Sequence, residues 1–532
     1  MATDMTAAQV VVDKAEDRYV SFVASLAEEA KTSRIFLRYK VLDTFLHLDS
    51  YPAPNSVPFH VGEAKISHIS FDTPGNLIFA RDIKEYELAS KIDTGSTRQI
   101  FIVENVTPKV IRVFGGLLNV DPEFFLDYID AVPAEMDVTK EEISSRPDLI
   151  PTAWYRHQGI EGHLPTLKSM NTRRDHMSLR FVGPREYRGE DYCKAPERMK
   201  PDMKKMNVER IAGLHVPIAR KLGNGGRQFD NVAMTRHCAA IWFKQPDDAT
   251  YSAWTTAIIL VDPPFEAEDG ETMYGTRADS AYRSFICRPL PNKVMEREKE
   301  PRSTYRASLA HIIVREIAQG GDFHPLVVTQ AVARIIASEW ISTSAYIERD
   351  INTLEWRLED GEVGIEVLEK FLKKLFILRR RIRKYQALVD EQLQLFRDCL
   401  PYAWTKTPSP ATEKARTEMK ADFEQVRSTI DNNGARLSQT LDLVASIMQV
   451  RAGEQSIKQN DRLSFLTLIA TVALPFNALA AILGMQTSWG PGNPHFGKFW
   501  LISSAVCAFM WIGYRVSRFW MHHVSKMQAK LV

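Results

Sequence analysis

Polar side chains recur on one face of an uncharged stretch near the C-terminus. Residues 463–483 carry no charge, and as a helix rising about 1.5 Å per residue they extend roughly 31 Å, a bilayer core. Residues three or four positions apart share one face of a helix. The residues that share this face are Asn460, Leu463, Thr467, Ala470, Leu474, Asn477, Ala481 and Gly484. Because amides and hydroxyls are costly at membrane depth, this face is either a seam between helices or the wall of a pore.

A second apolar stretch follows after a short loop. Residues 499–514 are uncharged, and Trp500, Trp511 and Tyr514 suit a membrane interface. The loop 485–498 contains two prolines and three glycines, so it is not helical throughout. These patterns predict a first transmembrane helix at 463–484, an extracytosolic loop at 485–498 and a second transmembrane helix at 499–516.

The basic residues predict the orientation of these two spans. Lys498 is the only fully charged residue of the loop, whereas basic residues lie on the other side of both spans: Arg451, Lys458, Arg462, Arg515, Arg518, Lys526 and Lys530. The positive-inside rule therefore predicts that both termini are cytosolic, with a basic cytosolic tail at 517–532. The plasma membrane is the first choice of location and the vacuolar membrane the second.

Composition excludes several classes of protein. The 532 residues carry a net charge of +2, which gives no reason to expect a nucleic-acid partner. The five cysteines are scattered without a C-x-x-C pair, which fits a reducing cytosol and argues against a disulfide framework or a structural zinc site. The N-terminal residues lack the apolar core of a signal peptide.

Residues 1–300 are predicted to form a cytosolic α/β (α+β) domain. Buried strands are predicted at 99–103, 177–182, 232–243 and 254–261. Helices are predicted to begin at Thr107-Pro108 and at Asp121-Pro122, where a capping side chain precedes a proline at the first helical position. No glycine-rich phosphate loop follows any of these strands, so nucleotide binding is not predicted.

Two tempting chemistries are discounted. His157, His163 and His176 lack the fixed helical spacing that a zinc site needs, so they are interpreted as ordinary surface or core histidines. No G-x-S-x-G nucleophile elbow is present. The protein is therefore predicted not to be an enzyme.

Long helices dominate from residue 301 onwards. An antiparallel pair is predicted within 301–410, from helices at 325–358 and 365–400. The second of them contains the basic run 379–384, interpreted either as a solvated face or as a patch for anionic headgroups or partner carboxylates.

A stalk helix is predicted at 411–462, continuous with the first span. A heptad-like stripe runs along it: Met419, Phe423, Val426, Ile430, Asn433, Leu437, Leu441, Val444 and Met448. A striped helix that leads into a polar-faced span indicates several copies packed around an axis. This interpretation favours the pore over the seam.

The C-terminal third resembles the CorA family of divalent-cation transporters, over roughly residues 410–525. The residues that carry the resemblance are Asn460, the segment 466–471, Pro475 and Gly484-Met485, followed by a short loop, a second span and a basic tail. The resemblance implies a homopentamer with a cytosolic funnel, in which the first spans line a central pore and the second spans form an outer ring.

The resemblance also implies the site residues. Gly-Met-Asn binds a hydrated magnesium ion at the outer mouth in this family; Gly484 and Met485 match it, and Gln486 replaces its asparagine. The residues implied to line the pore are Asn477, Leu474, Ala470, Thr467, Leu463 and Asn460. Gln486 keeps the amide carbonyl but adds a methylene, and the loop 485–498 has no acidic residue, so electrostatic cation capture is expected to be weaker.

Two functions follow from the sequence. The first is a channel or transporter that passes hydrated divalent cations, with magnesium as the first choice of substrate and zinc as the next. No resident cofactor is expected. The expected partners are the lipid bilayer and further copies of the chain. The alternative is a non-conducting or zinc-selective family member that acts as a membrane-tethered cytosolic scaffold or sensor.

Overall fold

The computed structural model describes residues 2–29, 37–47, 62–72, 77–92, 98–129, 172–187, 207–208, 213–214, 231–244, 254–263, 304–318, 324–359, 364–405, 409–484 and 492–528. The chain divides into two compact units. One comprises Met1–Val363 with Phe371–Leu441, and the other comprises Gly364–Lys370 with Asp442–Val532.

Among the described residues, the four α-helices that follow Ala2–Glu29 are short, whereas three of the helices after the sheet exceed 33 residues. The first five are α1 (Ala2–Glu29), α2 (Leu37–Leu46), α3 (Leu88–Lys91), α4 (Pro108–Leu118) and α5 (Pro122–Ile129). The remaining six are α6 (Tyr305–Ala318), α7 (Pro325–Glu359), α8 (Ile365–Asp398), α9 (Tyr402–Thr405), α10 (Pro410–Gly484) and α11 (Phe496–Gln528).

Seven strands form one mixed sheet in the first unit. They are β1 (Lys65–Phe71), β2 (Leu77–Ile83), β3 (Arg98–Glu104), β4 (His176–Tyr187), β5 (Gly213–Leu214), β6 (Asn231–Lys244) and β7 (Thr256–Val261). The strand order is β2-β1-β3-β7-β6-β4, with β5 paired to β6. Only β3 and β7 are paired in parallel, and the other described pairs are antiparallel. The prediction of a mixed α/β domain with long helices is confirmed.

The two central strands, β3 and β7, are buried along almost their whole length. β7 is buried along its whole length, and β3 is buried after its first residue, as expected for strands covered on both faces. Phe101, Val103, Ile258 and Leu260 point into the core that α1, α2, α4 and α5 share with this face. On the sheet, α6 contacts β1, β2 and β3, while α7 contacts β4 and β6.

The two predicted helix starts are confirmed. Thr107 has extended backbone angles, and its Oγ1 accepts a hydrogen bond from the Val110 amide at 3.3 Å. The Asp121 carboxylate accepts one from the Glu123 amide at 2.9 Å. Each cap satisfies an N–H group that the first turn of a helix leaves without an intrahelical acceptor.

Two glycines bring α4 against α1 at backbone distance. A methyl group at Gly116 would lie 2.7 Å from the Ala15 carbonyl carbon and 2.8 Å from the Glu16 amide nitrogen. A methyl group at Gly115 would lie 2.4 Å from the Tyr19 ring. The absence of side chains at these two positions therefore sets how closely the two helices pack.

Replacing Gly116 by alanine is expected to destabilise the protein by about 1–3 kcal/mol, because backbone atoms of α1 cannot move aside as a side chain could. The matched control is Gly453→Ala in α10, where nothing lies within 4 Å of the added methyl. That change is expected to be neutral or to stabilise by up to about 1 kcal/mol. Denaturant unfolding of the two purified variants measures both values, and equal effects would contradict the packing.

The first part of α10 packs against α7 and α8 within the first unit. Phe396 and Phe423 are in ring contact with centroids 4.9 Å apart, and the Asn433 side chain donates to the Ser344 carbonyl at 3.0 Å. Helices α7 and α8 are joined through Trp340, whose ring lies 5.5 Å from that of Tyr385.

This packing changes the interpretation of the predicted stripe. Its members from Met419 to Val444 are buried in a single chain, and Met448 is half-buried. Because contacts within one chain already cover the stripe, the stripe gives no support for several copies around an axis, and the number of copies remains a prediction.

The second unit contains the remainder of α10 and α11. From Ala452 to Thr467 every side chain is exposed, in contrast to the buried stripe before it. The predicted stalk and first span lie on one uninterrupted helix of 75 residues.

Candidate functional site

The candidate site is the face of α10 that carries the sequence-predicted pore residues. Asn460, Leu463, Thr467, Ala470, Leu474 and Asn477 all lie on this helix, and each of these side chains is exposed. The helix continues through Pro475, so the spacing of three and four residues holds along the whole segment.

The Thr467 hydroxyl donates a hydrogen bond within its own helix. Its Oγ1 donates a hydrogen bond to the Leu463 carbonyl, one helical turn earlier, at 2.8 Å. This local bond lets a hydroxyl lie in an apolar helix without an unsatisfied donor, and it leaves the oxygen lone pairs as acceptors. Thr467 can therefore accept a hydrogen bond from water, including water bound to a cation.

Exposure in one chain does not distinguish the polar face from the rest of α10. Leu474 is 70% exposed and Leu463 is 60% exposed, but Phe465 is also 60% exposed. Phe465 lies about 120° around the helix from Asn477. Which face turns towards a pore and which towards lipid thus remains a prediction.

The predicted ion mouth is described only at its first residue. Gly484 is the last residue of α10. Met485 and Gln486 lie outside the described residues, so their assignment also remains a prediction.

One helical segment among the described residues is long and apolar enough to cross a membrane. It is Phe496–Val516, with a mean hydropathy of 1.4. It includes the predicted second span, 499–516, and begins three residues earlier because α11 starts at Phe496. The 16 residues from Phe499 to Tyr514 are short for a membrane span, and the longer helix supplies the missing length.

A second group of charged side chains lies in the first unit. Arg174 pairs with Asp127 at 2.7 Å and with Glu123 at 2.9 Å. The His176 ring lies 3.3 Å from Asp127 through Nε2 and 3.1 Å from Asp175 through Nδ1. Because both ring nitrogens face carboxylates, the doubly protonated imidazolium satisfies both contacts.

His176 is therefore a core histidine that carries a charge. Burial by itself lowers the pKa of His176, but the hydrogen bonds to Asp127 and Asp175 outweigh it and raise the pKa to about 9. The sequence analysis interpreted His176 as an ordinary histidine and did not connect it with Asp127, which is 49 positions away. His157 and His163 lie outside the described residues.

The raised pKa predicts a pH-dependent stability. A histidine near 6.5 in the unfolded chain and near 9 in the folded one stabilises the fold fully below about pH 6.5, and this contribution disappears as the pH rises through 9. His176→Gln is expected to lower the free energy of unfolding by about 2–3 kcal/mol at pH 6.5 and by much less at pH 10. Unfolding curves at both pH values measure the difference.

The control for this prediction is His47→Gln. The His47 side chain is 36% exposed, and its ion pair in the described part of the chain is with the neighbouring Asp43 on α2. Its variant is expected to follow the parent protein across the same pH range. If His176→Gln shows the same deficit at both pH values, the charged state of His176 is refuted.

A metal site built from several histidine, cysteine or acidic side chains is not found in the described part of the chain. No group of three or more histidine, cysteine, aspartate and glutamate side chains in these ranges is arranged to hold a metal ion. The carboxylates around His176 are instead paired with protein cations: Arg174 donates hydrogen bonds to both Glu123 and Asp127.

Two of the solved structures that are similar to the chain share little sequence identity with it. The structure of the full-length CmaX protein is 13% identical, with a TM-score of 0.39, and the match covers 87% of this chain and 99% of that one. The complete structure of the CorA magnesium transporter from Methanocaldococcus jannaschii is 11% identical, with a TM-score of 0.37, covering 84% and 97%. No curated protein sequence matches the chain.

Comparison with family models gives a match over the C-terminal helices. Residues 308–518 match the model of the CorA-like Mg2+ transporter protein family. The match includes α7, α8, α10 and the apolar segment of α11, and thus every described residue of the candidate site. The resemblance inferred from Asn460, Thr467, Pro475 and Gly484 is therefore confirmed: residues 308–518 are similar to the CorA-like Mg2+ transporter family.

Proposed function

We propose that the protein is a membrane transporter for divalent cations, with magnesium as its main substrate. The observation that carries the proposal is the row of amide and hydroxyl side chains that α10 holds on one face, in the segment that matches the family of Mg2+ transporters. Asn460, Thr467 and Asn477 offer oxygen atoms on one face along this segment. Oxygen ligands and retained water suit magnesium, which dehydrates reluctantly.

The exposed row needs a polar environment within a bilayer. A lone helix would place Asn477 and Thr467 against acyl chains, which is costly. Several copies arranged around an axis, a pentamer by family resemblance, would instead turn these side chains towards water. In this arrangement the pore is lined by Asn477, Leu474, Ala470, Thr467, Leu463 and Asn460, with Gly484, Met485 and Gln486 at the outer mouth.

The proposed topology has two spans and cytosolic termini. The first span is 463–484 and the second lies within Phe496–Val516. The short connection between them is proposed to lie outside the cytosol. Arg515 and the basic residues beyond it remain on the cytosolic side. The plasma membrane is proposed as the location, with the vacuolar membrane as the alternative.

Flux measurements in liposomes test the proposal directly. Purified protein reconstituted in lipid vesicles with a magnesium-sensitive dye inside is expected to admit magnesium when the ion is added outside. Parallel measurements with zinc, nickel and cobalt rank the substrates. Absence of flux for every ion, with the oligomer intact by size-exclusion chromatography, would overturn the proposal and favour a non-conducting scaffold or sensor.

The outer mouth has its own test in the same assay. Gln486→Ala removes the amide oxygen that would contact water bound to the ion, so magnesium uptake is expected to fall several-fold, since a hydrogen bond to a charged group is worth about 1.5–3 kcal/mol. Unchanged uptake by Gln486→Ala would remove the mouth assignment while leaving the transport activity in place.

A further inference from the structure

Helix α8 carries an unusual run of positive charge. Between Lys370 and Val389 it contains eight basic residues and no acidic one. Arg379 and Arg383 lie one turn apart on the same face. Like charges at this spacing repel each other, so the arrangement is slightly unfavourable unless an anion lies between them.

The described part of the chain provides no carboxylate for three of these arginines. Ion pairs are present nearby, as in Arg427, which binds Asp390 and Asp431. No ion pair or hydrogen bond to Arg379, Arg380 or Arg383 occurs among the described residues. The Asp431 carboxylate on α10 is bound by Arg427 and by the Gln386 amide, the latter at 2.7 Å.

Two of these arginines line a cleft between α8 and α10. The cleft has a volume of about 230 Å³, and its lining includes Arg379, Ile382, Arg383, Gln386, Gly434 and Ser438, with no carboxylate. This volume is below the roughly 300–1,000 Å³ of sites for drug-sized ligands, so it suits a small group. Arg379 is half-buried and Arg383 is exposed, which gives the cleft one guanidinium in its wall and one at its rim.

Gly434 lies in the wall of the cleft, where an added side chain would contact its neighbours. A methyl group at Gly434 would lie 3.3 Å from the Ile382 Cγ2 atom and 3.4 Å from the Gln386 side-chain nitrogen. The Ser438 hydroxyl donates to the Gly434 carbonyl at 3.1 Å, so this hydroxyl does not compete as a donor. The donors that remain for a ligand are the two guanidinium groups and the second N–H of the Gln386 amide, whose first N–H binds Asp431.

From this geometry we infer that the cleft between α8 and α10 binds a phosphate group, held by Arg379 and Arg383. A guanidinium presents its N–H groups in a planar fork that matches the oxygens of a phosphate, and such charge-assisted pairs are the strongest hydrogen bonds in proteins. The phosphate can belong to a soluble polyphosphate or to an anionic lipid headgroup, because both offer the same chemistry. This binding is independent of the proposed transport.

The experiment uses the full chain in nanodiscs of phosphatidylcholine, titrated with inorganic pyrophosphate in a calorimeter with a metal chelator present. Saturable binding is expected, and the double variant Arg379→Gln, Arg383→Gln is expected to weaken it about tenfold or more. The charge-matched control is Lys373→Gln, Arg380→Gln, which removes two exposed cations from the same helix outside the cleft. This control is expected to weaken binding less than threefold.

A second arm distinguishes the source of the phosphate. In the same nanodiscs, short-chain phosphatidic acid is added and the unfolding temperature is followed. A lipid headgroup is supported if phosphatidic acid raises the unfolding temperature of the parent protein but not of the Arg379, Arg383 variant, and pyrophosphate does not bind. A soluble ligand is supported if pyrophosphate binds. Arg379→Lys, Arg383→Lys keeps the charge and is expected to retain weakened binding. No binding in either arm, or equal losses in the cleft variant and its control, would overturn the inference.

Discussion

Replacing Asn477 by leucine is expected to abolish magnesium uptake, to about one tenth of the parent rate or less, while leaving the oligomer assembled. The change replaces an exposed amide on α10 by an apolar side chain in every copy. A hydrophobic ring at this level would block water and ions by dewetting. The lost contact with hydrated magnesium, worth about 1.5–3 kcal/mol per amide, gives the same direction. Uptake into dye-loaded liposomes measures the effect.

The control for Asn477→Leu is Phe465→Leu on the same helix. Phe465 is also exposed in the single chain but points about 120° away from Asn477. Its shortening is expected to change uptake less than twofold. If Asn477→Leu transports at the parent rate, or if both variants lose transport equally, the polar face of α10 does not line the pore.

The second large effect concerns the contact between α6 and the sheet. Arg306 donates to the Asp82 carboxylate at 2.6 Å and to the Ser67 hydroxyl at 2.8 Å, and its Nε lies 3.9 Å from a Glu104 carboxylate oxygen. The side chains of Arg306 and Glu104 are only 2% and 1% exposed. This arginine therefore neutralises a carboxylate that water hardly reaches.

Arg306→Leu is expected to cost about 3–5 kcal/mol of stability, because it removes the counterion of a buried carboxylate. Denaturant unfolding of the purified variant measures the loss. The double variant Arg306→Leu, Glu104→Leu is expected to recover a large part of it, since the buried charge is then also removed.

The comparison for Arg306→Leu is Arg397→Leu at an exposed ion pair. Arg397 and Glu424 lie 2.6 Å apart, but their side chains are 46% and 44% exposed. Pairs in water contribute about 0–1 kcal/mol, so this variant is expected to unfold almost like the parent. Similar losses for the two variants would show that burial does not set the strength of the Arg306 contacts.

Several elements could be predicted from local sequence because local physics determines them. Thr107-Pro108 and Asp121-Pro122 begin helices as expected, since a cap bonds to an amide two or three residues away. The helix from Pro410 to Gly484 was predicted to within one residue at either end, because periodic apolar residues and the absence of breakers act over neighbouring turns.

Other elements were missed because their partners are distant in sequence. Strands β1 and β2 were not predicted: β1 buries Ser67, His68 and Ser70, so its composition does not resemble that of a buried strand. Ser67 is buried because Arg306, 239 positions later, bonds to it. A sequence read in short windows contains no signal of such a pair.

By itself the sequence determined the likeness of the C-terminal helices to the CorA-like family and the spacing of polar residues on α10, because a helix converts spacing into a common face without any outside contact. Only the tertiary structure decided that the stripe from Met419 to Val444 is buried within one chain, that His176 lies between two carboxylates, and that Arg379 and Arg383 share a cleft. Burial and charge depend on which segments meet in space, and those segments are tens to hundreds of residues apart.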